Sequence, residues 1–323
     1  MQTRRIFLAS VAFTGASAVV GSATAQAYPS RPVRVIVGFG PAGLSDLAAR
    51  MIGPWLSERL GRQFVIENRP GAGGNIATEA VVRAAPDGYT LLLAQASDAI
   101  NATLYEKLNF VFIRDIAPVG GLILVPNVLV VHPSVPATTV PEFIAYAKAN
   151  PGRLNMASVG NGSVPHVAGE LFKMMSGINM IHVPYRGTAP ALTDLLAGQV
   201  QVFFGSPPST IEYIRAGRLR ALATTSLKRS AVMPDLPSLA EFVPGYETSF
   251  WAGIGAPKNT PPEIVETLSK EIKAGLANPR IKMHLADLGG AGMSMTPGEF
   301  GKFIADETEK WAKVVKFSGA KPD

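Results

Sequence analysis

The strongest constraint on the fold is a repeated order of strand, glycine-rich loop and helix. Residues 33–37 have the apolar, β-branched character of a buried strand, and the loop that follows is rich in Gly and Pro. From Leu47 to Leu60 apolar residues recur three or four positions apart, which predicts an amphipathic helix. Ser45 is placed to cap the start of this helix, and Gly61 to end it. Such alternation favours parallel sheets with helices on both faces.

The same order continues along the chain, in two halves that share the pattern but not the sequence. Further predicted strands lie at residues 64–67, 89–94, 128–132, 154–158, 180–185, 200–204, 219–225 and 250–254. Thr139, Thr260 and Thr296 each precede a Glu by three residues, which predicts helix N-caps. A chain of 323 residues suits about two domains. We therefore predict two α/β domains, with crossings near 128–132 and 250–254, and C-terminal helices that return to the first domain.

The first 27 residues have the pattern of a secretory signal. Arg4 and Arg5 precede an uncharged segment that ends in the small-x-small sequence Ala25-Gln26-Ala27, so we expect export to the periplasm and cleavage after Ala27. The arginine pair favours a twin-arginine signal, with an ordinary secretory signal as the alternative. The longest apolar run after it is broken at Pro126 and is shorter than the roughly 20 residues that a membrane helix needs. We expect no direct membrane insertion.

Composition excludes several kinds of chemistry. The chain has no Cys, which excludes disulfides, iron–sulfur clusters and a cysteine nucleophile. The formal net charge of +6 falls to +4 when the two arginines of residues 1–27 are left out, and no run of five like charges occurs. Nucleic acid is therefore not an expected partner. The four histidines are scattered without the spacing of metal ligands, so we predict no metal site.

The loop Gly38–Gly43 matches the dinucleotide-binding pattern G-x-G-x-x-G, and Glu67 follows at the end of the next predicted strand. However, Pro41 removes an N–H that such a loop would offer to a pyrophosphate. A tight turn without any ligand is a second interpretation. A third is an anion site built from helix N-termini, because four loops (Gly38–Ser45, Gly71–Gly74, Gly160–Ser163 and Arg186–Thr188) all follow a strand and precede a helix. Convergence of these loops on one cleft would suit a small carboxylate.

Two polar pairs have structural as well as functional interpretations. Ser163 and His166 are three residues apart where a loop becomes a helix, and we interpret them as an N-cap and a first-turn histidine rather than as nucleophile and base. Asp46 follows Ser45 in the predicted first turn, where a carboxylate stabilises the positive end of the helix dipole. The alternative interpretation is that this carboxylate binds a substrate amine. No G-x-S-x-G motif occurs, and we predict no catalytic residues.

Short motifs over nearly the whole chain after Tyr28 point to one family. They are Glu67–Gly74, Pro86–Leu91, Gly160–Ser163, His182–Gly187, Leu219–Ala223 and Pro234–Pro237. Together they resemble the Bug-type extracytoplasmic solute receptors of tripartite tricarboxylate transporters. The resemblance implies a type II periplasmic binding protein-like α/β fold with a ligand cleft between two lobes. Lobe 1 would comprise residues 28–130 and 254–323, and lobe 2 residues 131–253.

The resemblance also implies a function and a site. The protein would capture a small carboxylate without any cofactor and deliver it to the membrane permease subunits of such a transporter. The implied ligand-binding residues are Gly40, Ala42, Gly43, Ser45, Asp46, Asn161, Gly162, Ser163, His166, Gly187, Thr188, Ala189 and Ser206. The family often has an aspartate where this chain has Gly205, so we expect a mono- or dicarboxylate without an amine. The alternatives are an exported nicotinamide-dependent oxidoreductase and a ligand-sensing receptor for a membrane signalling protein.

Overall fold

The computed structural model describes residues 28–230 and 233–322, so the predicted signal and its cleavage site lie outside the described residues. The strands are β1 (Val33–Val37), β2 (Phe64–Asn68), β3 (Thr90–Gln95), β4 (Ile116–Pro126), β5 (Val128–Val131), β6 (Asn155–Ser158), β7 (Ile181–Pro184), β8 (Val202–Gly205), β9 (Arg220–Thr224), β10 (Ser249–Pro257) and β11 (Ala291–Gly292). The helices are α1 (Leu44–Leu60), α2 (Asn75–Val82), α3 (Ala96–Leu104), α4 (Phe112–Asp115), α5 (Val140–Ala149), α6 (Val164–Ser176), α7 (Thr188–Leu196), α8 (Pro207–Arg215), α9 (Pro262–Ala277), α10 (Pro279–Asp287) and α11 (Pro297–Ser318).

The strands form two sheets, in the orders β11-β4-β10-β3-β1-β2 and β7-β6-β8-β5-β9. Within them β1 lies parallel to β2 and β3, and β6 lies parallel to β7 and β8. The predicted parallel pairing holds for only part of each sheet, because β10 runs antiparallel to β3 and β4, and β5 runs antiparallel to β8 and β9. The reason is the path of the chain. β4 leads out of the first sheet, whereas β10 returns to it.

The two crossings between the sheets are joined by a buried hydrogen-bond network. Asn127 is the single residue between β4 and β5, and its amide donates to Thr225 Oγ1 at 2.7 Å. The Thr225 hydroxyl donates to the carbonyl of Thr248, also at 2.7 Å, just before β10. Backbone bonds from Thr225 to Asn127 and from Thr248 to Thr225 complete the network. It holds both crossings at one place, although the predicted lobe boundaries themselves stay a prediction.

The apolar core lies on both faces of each sheet. One cluster continues from the first sheet to the second and includes Trp251 and Trp311. Both indole N–H groups donate to the Glu307 carboxylate, at 2.9 and 3.0 Å, which satisfies polar atoms that the core would otherwise leave unpaired. Helix α11, which carries Glu307 and Trp311, packs against α3 and α6. Within the described residues no helix is long and apolar enough to cross a membrane.

The predicted helix starts differ in outcome. Thr296 caps α11 with Glu299 as its reciprocal partner, and Thr139 caps α5, as predicted. The predicted cap at Thr260 is wrong, because α9 begins at Pro262 and the Thr260 hydroxyl donates to the carbonyl of Pro257 instead. The predicted cap at Ser45 is also wrong, because the N-cap of α1 is Gly43, two residues earlier.

Four helices, α3, α4, α8 and α10, were not predicted. Helix α3 follows β3 without a loop, since Gln95 ends the strand and occupies the N-cap position of the helix. Helix α8 begins with Pro207-Pro208. A proline pair is usually interpreted as the end of a regular element, although proline is also favoured in the first turn of a helix. Gly61 ends α1 in the left-handed conformation, with φ at 69°, as predicted.

The crossing network predicts a measurable loss of stability on removal of one hydroxyl. Thr225→Val keeps the side-chain shape but leaves the Asn127 amide and the Thr248 carbonyl without this partner. We expect the free energy of unfolding to fall by about 1–3 kcal/mol in urea denaturation. Thr193→Val, which removes an exposed helix hydroxyl, is the control and is expected to change it by less than about 0.5 kcal/mol. Equal stability of the two variants would contradict this role of Thr225.

Candidate functional site

A cleft of about 530 Å³ lies where residues from both sheets meet. Its volume falls within the roughly 300–1,000 Å³ that is typical of small-molecule sites. The loop before α1, the end of β3 and the crossing at Asn127 contribute to the cleft, as do the loops before α6 and α8 and the start of α7. Its polar lining residues are Ser45, Gln95, Ser97, Asn127, Ser163, Thr188, Ser206 and Ser209.

Helix N-termini from both sheets open onto this cleft. The N-cap positions of α1, α6, α7 and α8 are Gly43, Ser163, Gly187 and Ser206. The two glycines have no side chain to cap with, and neither serine hydroxyl makes a capping hydrogen bond. First-turn amides have no acceptor within a helix, and the helix dipole adds about half a positive charge at this end. The N-termini of α6 and α8 contain Pro at the first or second position, so α1 offers the fullest set of amides.

The start of α1 is held by a contact with β3. Ser45 is buried inside the first turn, and its hydroxyl donates to the side-chain oxygen of Gln95. The backbone N–H of Gln95 donates to the carboxylate of Asp98 at 2.9 Å, and the Thr78 hydroxyl donates to the same carboxylate at 2.6 Å. Burial raises the pKa of Asp98 to about 6, although these two hydrogen bonds oppose the shift. The network therefore places Ser45 and Gln95 side by side in the cleft wall.

Charge is absent from the wall of the cleft: among the described residues that line it, none is acidic, basic or a histidine. Asp46, which follows Ser45 in the sequence, does not line it. Its carboxylate accepts hydrogen bonds from the Ala42 amide at 3.0 Å, from Arg50 at 2.9 Å and from Asn68 at 3.0 Å. Burial raises the pKa of Asp46, but these hydrogen bonds outweigh burial and the net shift is downward. The carboxylate thus secures the loop before α1, which does not support the alternative that it binds an amine.

His166 lies behind the cleft wall and not on it. Its Nδ1 atom accepts a hydrogen bond from the Gly162 amide at 3.1 Å, and its ring stacks on His182 with 3.8 Å between centroids. Burial lowers the pKa of His166 to about 3, and the nearby His182 and Lys173 contribute, so the ring is neutral at pH 7. The Ser163 hydroxyl donates to the carbonyl of Gly160 at 2.7 Å. Ser163 is the N-cap residue and His166 lies in the first turn, as interpreted from the sequence.

The structure brings six of the predicted site residues to the cleft, and the other seven lie within three positions of these six in the sequence. The six that line it are Ala42, Gly43, Ser45, Ser163, Thr188 and Ser206. The seven that do not are Gly40, Asp46, Asn161, Gly162, His166, Gly187 and Ala189. Whether any of the thirteen contacts a ligand stays a prediction.

Several lining residues were missed from the sequence. Gln95, Ser97 and Asn127 are the polar ones at the strand ends and at the crossing, and Phe39, Phe203 and Phe250 are the large apolar ones. Gln95 could have been predicted to line the cleft from its position at the end of a predicted strand, because the loops that follow the other strands converge at the same edge of the sheet. Asn127 had the signal of interrupting an apolar run between two strands.

Two polar atoms in the cleft wall have no hydrogen-bond partner among the residues that the structure describes. They are Ser97 Oγ and Asn127 Oδ1. Asn127 Nδ2 donates to the carbonyl of Phe204 at 2.8 Å, which fixes the orientation of the amide and leaves Oδ1 as the acceptor. Buried polar atoms normally find a partner, so these two are available to a ligand or a water molecule.

The acidic residue that a dinucleotide site would require is already engaged in ion pairs. Such a site uses the acid after the second strand to bind a ribose hydroxyl. Here Glu67 accepts hydrogen bonds from Arg34 at 2.6 Å and from Arg69 at 2.6 Å. These arginines hold the pKa of Glu67 below its usual range. The carboxylate is therefore engaged in ion pairs along the edge strand β2.

Comparison with known proteins identifies relatives over almost the whole chain. A family profile described as "Tripartite tricarboxylate transporter family receptor" matches residues 48–319. Protein BugT of Bordetella pertussis is 37% identical over 312 residues, which cover 96% of each chain. The solved structure "R. palustris Rpa4515 with adipate" superimposes with a TM-score of 0.80 at 37% identity and covers 92% of this chain and all of that one.

A second solved relative, MatC from Rhodopseudomonas palustris with bound malate, has a TM-score of 0.76 at 31% identity and covers 89% of this chain and all of the other. The likenesses confirm the predicted α/β fold with two lobes and the resemblance to Bug-type receptors.

The buried carboxylate of Asp98, which accepts hydrogen bonds from Gln95 and Thr78, predicts a pH dependence of the free energy of unfolding. Since folding raises the pKa of Asp98 from about 4 to about 6, the native state binds this proton more tightly than the unfolded chain does. The contribution of Asp98 to the free energy of unfolding therefore falls as the pH rises from about 4 to about 6, by up to about 3 kcal/mol. Asp98→Asn is expected to lack this decrease in urea denaturation across that range. Parallel profiles for the wild type and the variant would contradict the assignment.

Proposed function

The chain belongs to the receptor family of tripartite tricarboxylate transporters, and on this premise we propose that it captures a small carboxylate in the described cleft and delivers it to the membrane subunits of such a transporter. We also propose that it acts in the periplasm after export by its N-terminal signal, and that it binds its ligand without transforming it. The observation that carries the proposal is the convergence of four uncapped helix N-termini on a cleft whose described lining is uncharged.

The physical reason is that a carboxylate needs donors but not a counter-ion. Backbone amides at a helix start, together with the Ser97 hydroxyl, which has no partner among the described residues, can replace the water that a carboxylate loses on entering the cleft. A neutral site also avoids an unpaired buried cation when the ligand leaves. These features support reversible capture and release, which a transport receptor requires.

The ligands of solved relatives support a carboxylate as the ligand class. One relative holds adipate and another holds malate, and neither molecule has an amine. At Gly205 of this chain, a Cβ atom would lie 2.4 Å from Thr210 Cγ2 and 2.8 Å from the Phe203 ring, so an acidic side chain does not fit there. The described lining offers no other acid to an ammonium group. We therefore propose a mono- or dicarboxylate without an amine.

A thermal-shift screen tests this function directly. Small mono- and dicarboxylates are expected to raise the melting temperature, since a ligand at a hundredfold excess over its Kd stabilises the native state by about 2.7 kcal/mol. Matched amino acids, such as aspartate beside succinate, are expected to be weaker. Tighter binding of the amino acids would contradict the absence of an amine, and no response to any carboxylate would contradict the function.

A pair of substitutions at Leu44 separates the backbone donor from the side chain. Leu44 is the first residue of α1 and lines the cleft, and proline is well tolerated at this helix position. Leu44→Pro removes both the amide donor and the leucine side chain. Leu44→Ala also removes most of that side chain but keeps the amide donor. We expect Leu44→Pro to weaken binding of a responsive carboxylate by about tenfold or more relative to Leu44→Ala, as measured by calorimetric titration. Equal affinities would show that this amide does not bind the ligand.

A further inference from the structure

The cleft has two chemically distinct parts. Hydroxyls and helix starts supply its polar part, which the proposed function assigns to a carboxylate. The rest of the wall is apolar, and its large side chains are Phe39, Leu47, Val125, Phe203, Phe250 and Leu288. They come from the loop after β1, from α1, from β4, β8 and β10, and from the residue after α10, so they belong to several elements. A ligand that fills the cleft must therefore cover a large apolar surface as well as satisfy the donors.

Two of these apolar side chains are open to solvent. Phe39 is 37% exposed and Leu47 is 39% exposed, whereas Val125 and Phe203 are buried within the wall. Both exposed residues belong to the segment that also presents the start of α1. Exposed apolar surface inside a cleft favours a ligand that removes it from water. An apolar group attached next to the carboxylate would do so.

The lining is poorly suited to a compact polyanion. Lys, Arg and His are absent from the described residues of the wall, and Arg50 in α1 is paired with Asp46. One carboxylate can be satisfied by the amides and hydroxyls at the helix starts. Each additional carboxylate on a compact branched molecule would compete for the same amides and hydroxyls or lie against apolar side chains, where an unpaired charge is costly to bury.

Resting on the proposed function, we infer that the ligand is a carboxylate with an apolar body, an aliphatic chain of several methylenes or an aromatic ring, and not a compact polyanion of the citrate type. The carboxylate binds at the start of α1, and the body lies against Phe39 and Leu47. This assignment narrows the substrate class of the cleft and identifies Leu47 as a residue that determines specificity without contacting the carboxylate.

Calorimetric titration of the purified protein tests the inference with matched ligands. Hexanoate and benzoate are expected to bind about tenfold or more tightly than propionate, because the longer chain or the ring buries additional apolar surface. Citrate is expected to bind more weakly than hexanoate. Hexanamide has the same chain without the charge and is expected to bind more weakly than hexanoate.

Substitutions at Leu47 test the role of the apolar wall. Leu47→Ser is expected to weaken hexanoate about fivefold or more while leaving the affinity for propionate unchanged, and Leu47→Met is expected to keep the wild-type preference. Met283→Ser is the control, because Met283 is an exposed helix residue that does not line the cleft. It is expected to change neither affinity. Loss of hexanoate and propionate binding to the same extent in Leu47→Ser would overturn the specificity role.

The outcomes separate this inference from the function on which it rests. If propionate or citrate binds as tightly as hexanoate and benzoate, the apolar body is not recognised and the inference is wrong, while capture of a carboxylate stands. If hexanamide binds as tightly as hexanoate, or if no carboxylate of either series binds, the proposed function fails and the inference fails with it.

Discussion

Backbone amides at the starts of helices are the donors on which the proposed binding depends. They are fixed in direction by the helices themselves, so they need neither a flexible side chain nor a buried cation. Helix α1 offers the fullest set because no proline occupies its first turn and Gly43 leaves its N-cap position without a side-chain acceptor. Asp46 stabilises the preceding loop through Ala42, Arg50 and Asn68, which keeps a negative charge close to α1 but out of the cleft.

The arrangement works only because two sheets present their helix starts to the same space. The single residue Asn127 links β4 to β5, and the hydroxyl of Thr225 connects this crossing to the returning one at Thr248. Asn127 also lines the cleft, and its Oδ1 atom has no partner among the described residues. One residue therefore belongs both to the connection between the sheets and to the surface that meets a ligand.

Local sequence patterns predicted much of this structure. They failed where contacts between residues distant in sequence determine a helix start, the direction of a strand or the lining of the cleft. The strands and the glycine-rich loops could be predicted because hydrophobic periodicity and turn-forming residues are local properties of the sequence. Convergence of the loops could be predicted because the carboxyl ends of parallel strands lie at one edge of a sheet. Helix α1 starts two residues before the predicted position, and the Ser45 hydroxyl bonds to Gln95, which is distant in sequence, instead of capping the helix. The antiparallel strands β10 and β5 follow from the path between sheets, which no local pattern reports. The apolar lining from Phe203 and Phe250 depends on the same path.

A crystal structure of the protein with a bound carboxylate tests the central claim most directly. The account predicts that the carboxylate oxygens lie within hydrogen-bond distance, about 2.7–3.2 Å, of the first-turn amides of α1 and of at least one hydroxyl from the second sheet. It also predicts that no arginine, lysine or histidine side chain contacts the carboxylate. A ligand paired with a cationic side chain, or bound away from the start of α1, would contradict the account.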